Sequence, residues 1–244
     1  MPERIVEVSN LVKRFGSFAA VDDISFGVDA GEIFGFLGAN GAGKTTAMRI
    51  LCGLLTPTSG MAAVCGYDVY SQSEQIKANI GYMSQRFSLF DDLSVWDNIS
   101  FYAGIYRMSS KEIGEAGNAL LAKLGMSAQR KRLAGSLPLG WKQKLAFSIA
   151  IIHKPRLLFL DEPTGGVDPV TRRAFWDMIY EASEQGITVF VTTHYLDEAE
   201  YCDRISMMVK GKIAAMGSPK QLKQQFGASS IYDVFLTLAR GDEA

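Results

Sequence analysis

The chain has 244 residues, enough to bury a sizeable core in one domain. Its 25 basic and 26 acidic residues nearly cancel, so no net field favours nucleic acid or an anionic membrane surface as a partner. The three cysteines show no metal-ligand spacing, which is typical of a reducing cytosol, and we expect each to be a small buried residue. No apolar run is long enough to span a bilayer and the first residues do not read as a signal peptide, so we expect a soluble protein.

Strands predominate among the elements predicted for the first third of the chain. Apolar runs predict strands at residues 5–8 and 24–28, which flank the segment 13–23. A third strand at residues 33–37 precedes a glycine-rich loop and a helix that runs from about Gly43 through Leu51. Further strands are predicted at residues 61–64 and 80–83, after a turn at residues 56–60.

Helices and strands alternate in the rest of the chain. From about residue 93 to residue 133 apolar side chains recur at three- and four-residue spacing, which predicts helix. The elements predicted after this segment are a helix at 138–153, a strand at 157–160, a helix at 170–183, strands at 187–191, 205–209 and 213–216, and a last helix from Ser218. This order predicts one α/β domain over residues 1–244, with a mostly parallel sheet and a helical insert near its middle.

The loop after the third strand carries the most specific motif. GANGAGKTT fits G-x-x-x-x-G-K-[ST], whose glycines let successive backbone N–H groups face phosphate oxygens. Lys44 can reach the β- and γ-phosphates, and the Thr45 hydroxyl can ligate Mg²⁺. We therefore predict that the chain binds a nucleoside triphosphate through Gly38, Ala39, Asn40, Gly41, Ala42, Gly43, Lys44, Thr45 and Thr46.

Polar side chains at the ends of later strands extend this prediction to catalysis. Asp161 and Glu162 end an apolar strand, so Asp161 can complete a magnesium shell and Glu162 can polarise an attacking water. The alternative is that both acids only cap the following helix. His194 ends another strand and can donate to a γ-phosphate oxygen, whereas His153 is expected to be structural. Gln85 can contact Mg²⁺ or the water, although taken alone it reads as a surface polar residue.

Together these motifs resemble the ATP-binding subunit of ABC transporters over nearly the whole chain. Residues 38–45 match the family's Walker A motif and residues 157–162 its Walker B motif with the catalytic glutamate. Gln85 matches the Q-loop, Asp168 the D-loop and His194 the switch histidine. The resemblance implies the P-loop NTPase fold of an ABC nucleotide-binding domain, with an antiparallel β subdomain, a helical subdomain at about residues 93–153, and ATP and Mg²⁺ as ligands.

Other segments add softer points of resemblance. Phe15 stands where the family places an aromatic residue that stacks on adenine, and a buried core phenylalanine is the alternative. Residues 194–205 and 211–219 look like the closing segments of the family. Residues 86–103 resemble the exporter branch with permeases of the second ABC type, which includes drug and sodium efflux systems. This resemblance implies export.

One motif departs from the family. Where the family has LSGGQ, which each subunit offers to the γ-phosphate held by its partner, this chain has LPLGW at residues 137–141. Pro138 removes a hydroxyl and an N–H, and Leu139 is bulky where glycine permits close approach. A lost hydrogen bond to a charged group costs about 1.5–3 kcal/mol, which would slow hydrolysis roughly ten- to a hundredfold. Proline suits a first helical turn and Gly140 still offers its N–H, so we expect a competent site built differently, as in a similar subset of drug exporters.

The resemblance implies a division of labour between subunits. Two ATP-binding subunits, identical or different, sandwich two nucleotides, and a separate membrane permease receives the work. We expect the permease to dock on residues 85–92 and the helical insert, through Phe87, Leu89 and Phe90, with ordinary core packing as the equal alternative. This implies a peripheral protein on the cytoplasmic face of a bacterial inner membrane.

Three other interpretations remain open. A soluble ABC protein of DNA repair or translation would carry two cassettes or a long coiled-coil insertion, and this chain shows neither. A catalytically reduced regulatory cassette is disfavoured by Glu162 and His194 but favoured by Pro138 and Leu139. Import is disfavoured by the exporter-like segment at residues 86–103. None of these residues identifies the transported substance.

Overall fold

The computed structural model describes residues 3–85 and 89–241. Strands and helices alternate over these ranges as the sequence predicts. The strands are β1 (Arg4–Phe15), β2 (Phe18–Asp29), β3 (Ile33–Leu37), β4 (Ser59–Val64), β5 (Tyr67–Asp68), β6 (Ile80–Met83), β7 (Leu157–Asp161), β8 (Thr188–Thr193), β9 (Arg204–Val209) and β10 (Lys212–Gly217). The helices are α1 (Lys44–Leu51), α2 (Ser73–Asn79), α3 (Val95–Ile105), α4 (Ser110–Lys123), α5 (Leu139–Ala150), α6 (Pro169–Glu184), α7 (Pro219–Gln225) and α8 (Ile231–Gly241).

The core sheet has the strand order β10-β9-β3-β8-β7-β6. Its strands run parallel from β9 to β6, and β10 pairs antiparallel with β9 at one edge. All residues of β3, β7 and β8 are buried, as expected for strands covered on both faces. Because parallel strands end at the same edge, the loops after β3, β6, β7 and β8 meet there, where α/β folds bind ligands. The predicted mostly parallel α/β fold is confirmed.

The second sheet is antiparallel and has the strand order β2-β1-β4-β5, which confirms the expected antiparallel part. The prediction of two short strands, at 5–8 and 24–28, was wrong in length. Both strands continue through residues 13–23 and join in a tight turn at Gly16 and Ser17, where Phe15 pairs with Phe18. Register shifts within the pair and charged residues on exposed positions interrupt the apolar alternation, so the sequence signal ends before the strands do.

Three apolar clusters hold these layers together. Phe26 of β2 packs its ring 5.8 Å from Phe34 and 6.2 Å from Phe190, so aromatic side chains join the antiparallel sheet to the core sheet. On the other face, α5, α6 and α8 cover the core sheet with Phe147, Trp176 and their neighbours. The third cluster lies among α3, α4 and α5, within the proposed helical subdomain at 93–153, whose boundaries stay a prediction.

The helical segment is divided by its own capping residues. Ser94 and Ser109 each form a capping box with the residue three positions later, so α3 and α4 are separate helices and not one continuous helical region. The helix expected at 138–153 is shorter at both ends: Pro138 adopts ψ 150° and stands outside α5 as its N-cap, and the helix ends at Ala150 with Ile151 as its C-cap. The expectation that Pro138 lies within the first helical turn was therefore wrong.

Two further elements differ from the sequence prediction. Helix α2 was not predicted, because its polar sequence SEQIKAN buries Ile76 and little else. The last helix predicted from Ser218 is two helices, since α7 ends before Gly227, which adopts φ 60°. Among the helices formed by the described residues, none combines the length and apolarity needed to cross a membrane.

Candidate active site

The loop between β3 and α1 curls through glycines with positive φ. Gly38 and Gly43 have φ values of 156° and 106°. A Cβ atom at Gly43 would lie 2.1 Å from the Ala20 carbonyl oxygen, and one at Gly38 would lie 2.4 Å from the Met208 carbonyl oxygen, so both positions require glycine. Gly43 is the N-cap of α1. The first N–H groups of α1 have no intrahelical partners, which suits the loop to an anion.

Lys44 is held inside this loop. Its side chain is buried, and its Nζ donates to the carbonyl oxygens of Gly38 at 2.8 Å and Ala39 at 3.2 Å. The same Nζ lies 3.4 Å from Oε1 of Glu162, which follows β7. A buried ammonium group needs such partners because desolvation disfavours an unpaired charge. Lys44 and Glu162, predicted from separate motifs, therefore meet directly.

Three other predicted site residues converge on Glu162. Besides Lys44, Gln85 approaches it, and its Nε2 donates to Oε2 of Glu162 at 3.0 Å. Nδ1 of His194 lies 3.0 Å from the same oxygen. Glu162 is buried and adopts φ 47°, a left-handed conformation that costs energy for a residue with a side chain. The alternative that Asp161 and Glu162 only cap the next helix does not account for this convergence.

Asp161 is anchored to two neighbouring elements. Its Oδ1 accepts hydrogen bonds from Thr45 Oγ1 at 3.1 Å and from Thr192 Oγ1 at 2.7 Å. The Glu162 N–H donates to the Thr192 carbonyl oxygen at 3.1 Å and lies 3.1 Å from Thr192 Oγ1. Thr192 thus fixes the backbone on which both acids stand. The Thr45 hydroxyl and the Asp161 carboxyl supply the oxygen ligands that Mg²⁺ prefers, so these side chains fit that ion.

A cleft of about 420 Å³ opens beside these groups. Lys44, Thr45, Gln85 and Glu162 line one part of it, and the tip of the β1–β2 hairpin lines another. Phe15 at this tip is 51% exposed, so the alternative of a buried core phenylalanine was wrong. The remaining lining residues are Phe18, Ala20, Asn40, Gly41, Gly43 and Thr46.

Two predicted site residues lie on other elements. Gly140 stands in the first turn of α5, where a Cβ atom would lie 3.1 Å from Cγ2 of Thr171. Asp168 is the N-cap of α6, and its Oδ1 accepts from the N–H groups of Val170 and Thr171, each at 3.0 Å. A hydrogen bond from the Thr171 hydroxyl, together with these two backbone bonds, lowers the pKa of Asp168. Both residues sit at helix starts outside the lining of the cleft.

Three side chains around the site were missed in the sequence. Thr192 forms the hydrogen bonds to Asp161 and Glu162 described above. Its place in the run VTTH, two residues before His194, could have indicated a position near the site. Gln143 is fully buried on α5 and donates through Nε2 to the Pro163 carbonyl oxygen. Phe18 lies opposite Phe15 in the hairpin and is 63% exposed, an unusual position for so large an apolar ring.

Residues expected to be structural lie away from the cleft. The His153 ring stacks on Tyr106 with centroids 3.6 Å apart, and its Nε2 lies 3.1 Å from the Ile80 carbonyl oxygen. Burial lowers the pKa of His153 to about 4. All three cysteines are free and buried, as expected.

The segment proposed for docking is partly described. Phe90 is 41% exposed, with its ring 4.9 Å from that of Phe101, so it is not a core residue. Leu89 is partly buried against the apolar clusters. Phe87 lies outside the described residues.

Comparisons with known proteins agree with this geometry. YbhF of Escherichia coli (strain K12), a probable multidrug ABC transporter ATP-binding protein, is 47% identical over 223 residues, which are 91% of this chain and 39% of YbhF. Human ATP-binding cassette sub-family A member 2 is 40% identical over 209 residues, 85% of this chain and 8% of that protein. The chain thus spans well under half the length of these relatives.

Solved structures show the same fold. The structure of an ATP-binding subunit of an ABC transporter superposes with a TM-score of 0.86 at 27% identity, covering 96% of this chain and 99% of that one. CbiO1 of Clostridium perfringens, part of the transporter complex cbiONQ, gives a TM-score of 0.82 at 28% identity, covering 98% and 97%. The family model described as ABC transporter matches residues 21–165. The chain therefore belongs to the ABC transporter family.

Proposed function

We propose that this chain binds ATP with Mg²⁺ and hydrolyses it as the ATP-binding subunit of an ABC transporter. The observation that carries the proposal is the convergence of Lys44, Gln85 and His194 on the buried carboxyl group of Glu162. These residue types supply phosphate binding, water positioning and proton transfer, and they meet beside a glycine loop that suits an anion. Relatives named as transporter ATP-binding proteins support the same reading.

Each side chain has a distinct role in the proposed reaction. Lys44 binds the β- and γ-phosphate oxygens, and to do so it turns from the Glu162 carboxyl to the incoming phosphates. Glu162, released from Lys44, accepts the proton of the attacking water. Gln85 orients that water, and His194 donates a hydrogen bond to a γ-phosphate oxygen as negative charge develops there. Because Lys44 leaves Glu162 when it binds the phosphates, nucleotide binding frees Glu162 to act as the base.

The remaining predicted residues hold the substrate. Thr45 and Asp161 would hold Mg²⁺, together with Gln85, and the ion would neutralise charge on the phosphate oxygens. Phe15 offers its exposed ring to adenine, and Phe18 extends the same apolar surface on the neighbouring strand. The first backbone N–H groups of α1 bind the phosphates.

We infer that the complete site needs a second ATP-binding subunit and that the work passes to a separate membrane permease. Gly140 and Asp168 lie at exposed helix starts away from the cleft, where they can serve a nucleotide held by the partner. The named function of YbhF supports export, and the substance exported is not specified by any described residue. The proposed location is the cytoplasmic face of a bacterial inner membrane.

The permease is proposed to dock on an apolar cleft of about 320 Å³. Leu54, Leu89, Tyr102 and Ile105 are among its lining residues, and Phe90 is exposed nearby. We expect Phe90→Asp to abolish stimulation of hydrolysis by the permease while ATP binding by the chain is retained. Loss of folding in this variant would instead assign Phe90 to packing.

A catalytically reduced regulatory cassette is the second candidate function. It is favoured by the start of α5, where Pro138 provides no side-chain cap and Leu139 is 45% exposed. The double variant Pro138→Ser with Leu139→Gly restores the family residues. A large gain in hydrolysis would support the reduced cassette, and an unchanged or slower rate would support a site adapted to its own residues.

The direct test is ATP binding and Mg²⁺-dependent hydrolysis by the full chain, alone and with its permease. In Lys44→Ala the buried ammonium group is lost, and we expect binding of ATP to weaken at least about tenfold, since a hydrogen bond to a charged group contributes about 1.5–3 kcal/mol. Lys111→Ala, an exposed lysine on α4, is the matched control. A wild-type chain that binds no ATP would contradict the proposal.

A further inference from the structure

Glu198 is a buried acidic residue outside the phosphate cleft, and the proposed reaction does not explain its contacts. Glu198 lies in the 3₁₀ turn Leu196–Tyr201 that follows β8 and is fully buried. Burial of a carboxyl group in a protein interior is unfavourable unless partners compensate, so the partners of Glu198 need an explanation. None of the roles proposed above uses Glu198.

One oxygen of Glu198 joins two segments of the chain. The Thr164 hydroxyl donates to Oε1 at 2.6 Å, and Thr164 is itself buried two residues after Glu162. Nε of Arg172 lies 3.7 Å from the same oxygen. Oε2 has no hydrogen-bond partner within the part of the chain that the structure describes. Glu198 therefore depends on Arg172 for its charge partner and on Thr164 for its hydrogen bond.

Arg172 reaches two more residues of the segment after β8. Its guanidinium carbon lies 4.2 Å from the centre of the Tyr195 ring, and its Nη1 lies 3.3 Å from Oδ2 of Asp197. The Tyr195 ring in turn lies 4.2 Å from the ring of His194. The guanidinium group thus packs one side chain away from the histidine that contacts Glu162.

Arg172 also belongs to the start of α6. It is the fourth residue of that helix, and its N–H donates to the carbonyl oxygen of Asp168 at 2.9 Å. Asp168 caps the same turn. Three segments are therefore tied to one ion pair whose carboxyl group is buried: the residues after β7, the residues after β8 and the first turn of α6.

We propose that Arg172 and Glu198 are positioning residues that make these three segments move as one body. A displacement of the first turn of α6 is then carried to Tyr195 and His194, and through Thr164 to the backbone that presents Glu162. The inference rests on the proposed ATPase function. We expect Arg172 and Glu198 to affect hydrolysis and not nucleotide binding, because neither residue lines the phosphate cleft.

The test compares three variants of the full chain. Glu198→Gln keeps an acceptor for Thr164 and removes the charge that faces Arg172. Arg172→Met removes the guanidinium group and keeps most of the side-chain length, and the third variant combines both changes. We expect each single variant to lower kcat about tenfold, since small misplacement of reacting groups is costly, while KM for ATP stays within about twofold.

Non-additivity and local opening distinguish a positioning pair from a stability effect. The double variant is expected to lose no more activity than the worse single variant. Hydrogen exchange is expected to rise together in residues 163–168 and 194–198. Glu181→Gln is the matched control, because Glu181 forms an exposed ion pair with Lys123 at the far end of α6, and its kcat is expected to equal that of the wild type.

The possible results separate the two proposals. If the wild type hydrolyses ATP and the variants do so at the same rate per folded molecule, or if their losses add, the inference is overturned. If kcat and KM change together, the pair belongs to nucleotide binding and the inference is also overturned. If the wild type binds ATP without hydrolysing it, alone and with its permease, the proposed function fails and the inference falls with it.

Discussion

The phosphate cleft and the start of α5 differ in how closely their side chains are held. In the cleft, Glu162 is contacted by Lys44, Gln85 and His194, and its backbone is strained. At the start of α5, Pro138 forms no side-chain cap and Trp141 is 37% exposed.

The difference reflects what each region contributes. Proton transfer needs particular side chains at particular distances, whereas the start of a helix offers backbone N–H groups whatever its side chains are. Substitution in the cleft is therefore expected to be far more costly than substitution at the start of α5.

The largest effect on ATP affinity is expected from Gly43→Ala. The added Cβ would lie 2.1 Å from the Ala20 carbonyl oxygen, so the loop must shift and ATP binding is expected to weaken at least about tenfold. Gly31→Ala is the control, because Gly31 also has positive φ but its Cβ would meet nothing within 4 Å. It carries only the left-handed strain of about 1–2 kcal/mol and keeps ATP affinity. Equal losses of affinity in both variants would contradict the assignment to the loop.

A smaller effect, a gain in the stability of the folded chain, is expected from Pro138→Ser. A serine N-cap contributes about 1 kcal/mol to helix stability, so the midpoint of urea unfolding should rise. Ser109→Ala, which removes an existing cap of α4, should lower the midpoint by a similar amount. A Pro138→Ser variant less stable than the wild type would show that the loop before α5 needs proline.

The features that the sequence predicts well are formed by residues close together in the chain. The phosphate loop follows from its glycines and the strand before it, and the strand ending at Asp161 follows from one apolar run. The β1–β2 hairpin was underestimated because its register shifts hide the alternation. The contacts of Glu198 were not predicted, since Thr164 and Arg172 lie 34 and 26 residues before it in the chain and reach it only in the folded structure. No short motif encodes contacts between residues so far apart in sequence.

A pH-dependent effect on stability is expected from His153. The pKa of His153 is lowered to about 4 in the folded chain, against about 6.5 for an ordinary histidine, so between these values the unfolded state binds more protons. Stability is therefore lost as pH falls from about 6.5 to 4. His153→Gln should show a shallower decline of the unfolding temperature over this window. An identical decline in both proteins would mean that other groups cause it.

Glu162→Gln provides the most direct measurement of the proposed catalytic centre. The substitution keeps the size of the side chain and removes its ability to accept a proton from water. We predict that hydrolysis at saturating ATP falls at least about a hundredfold, the usual contribution of a general base, while ATP still binds. Hydrolysis at the wild-type rate in this variant would contradict the role of Glu162 and, with it, the proposed reaction.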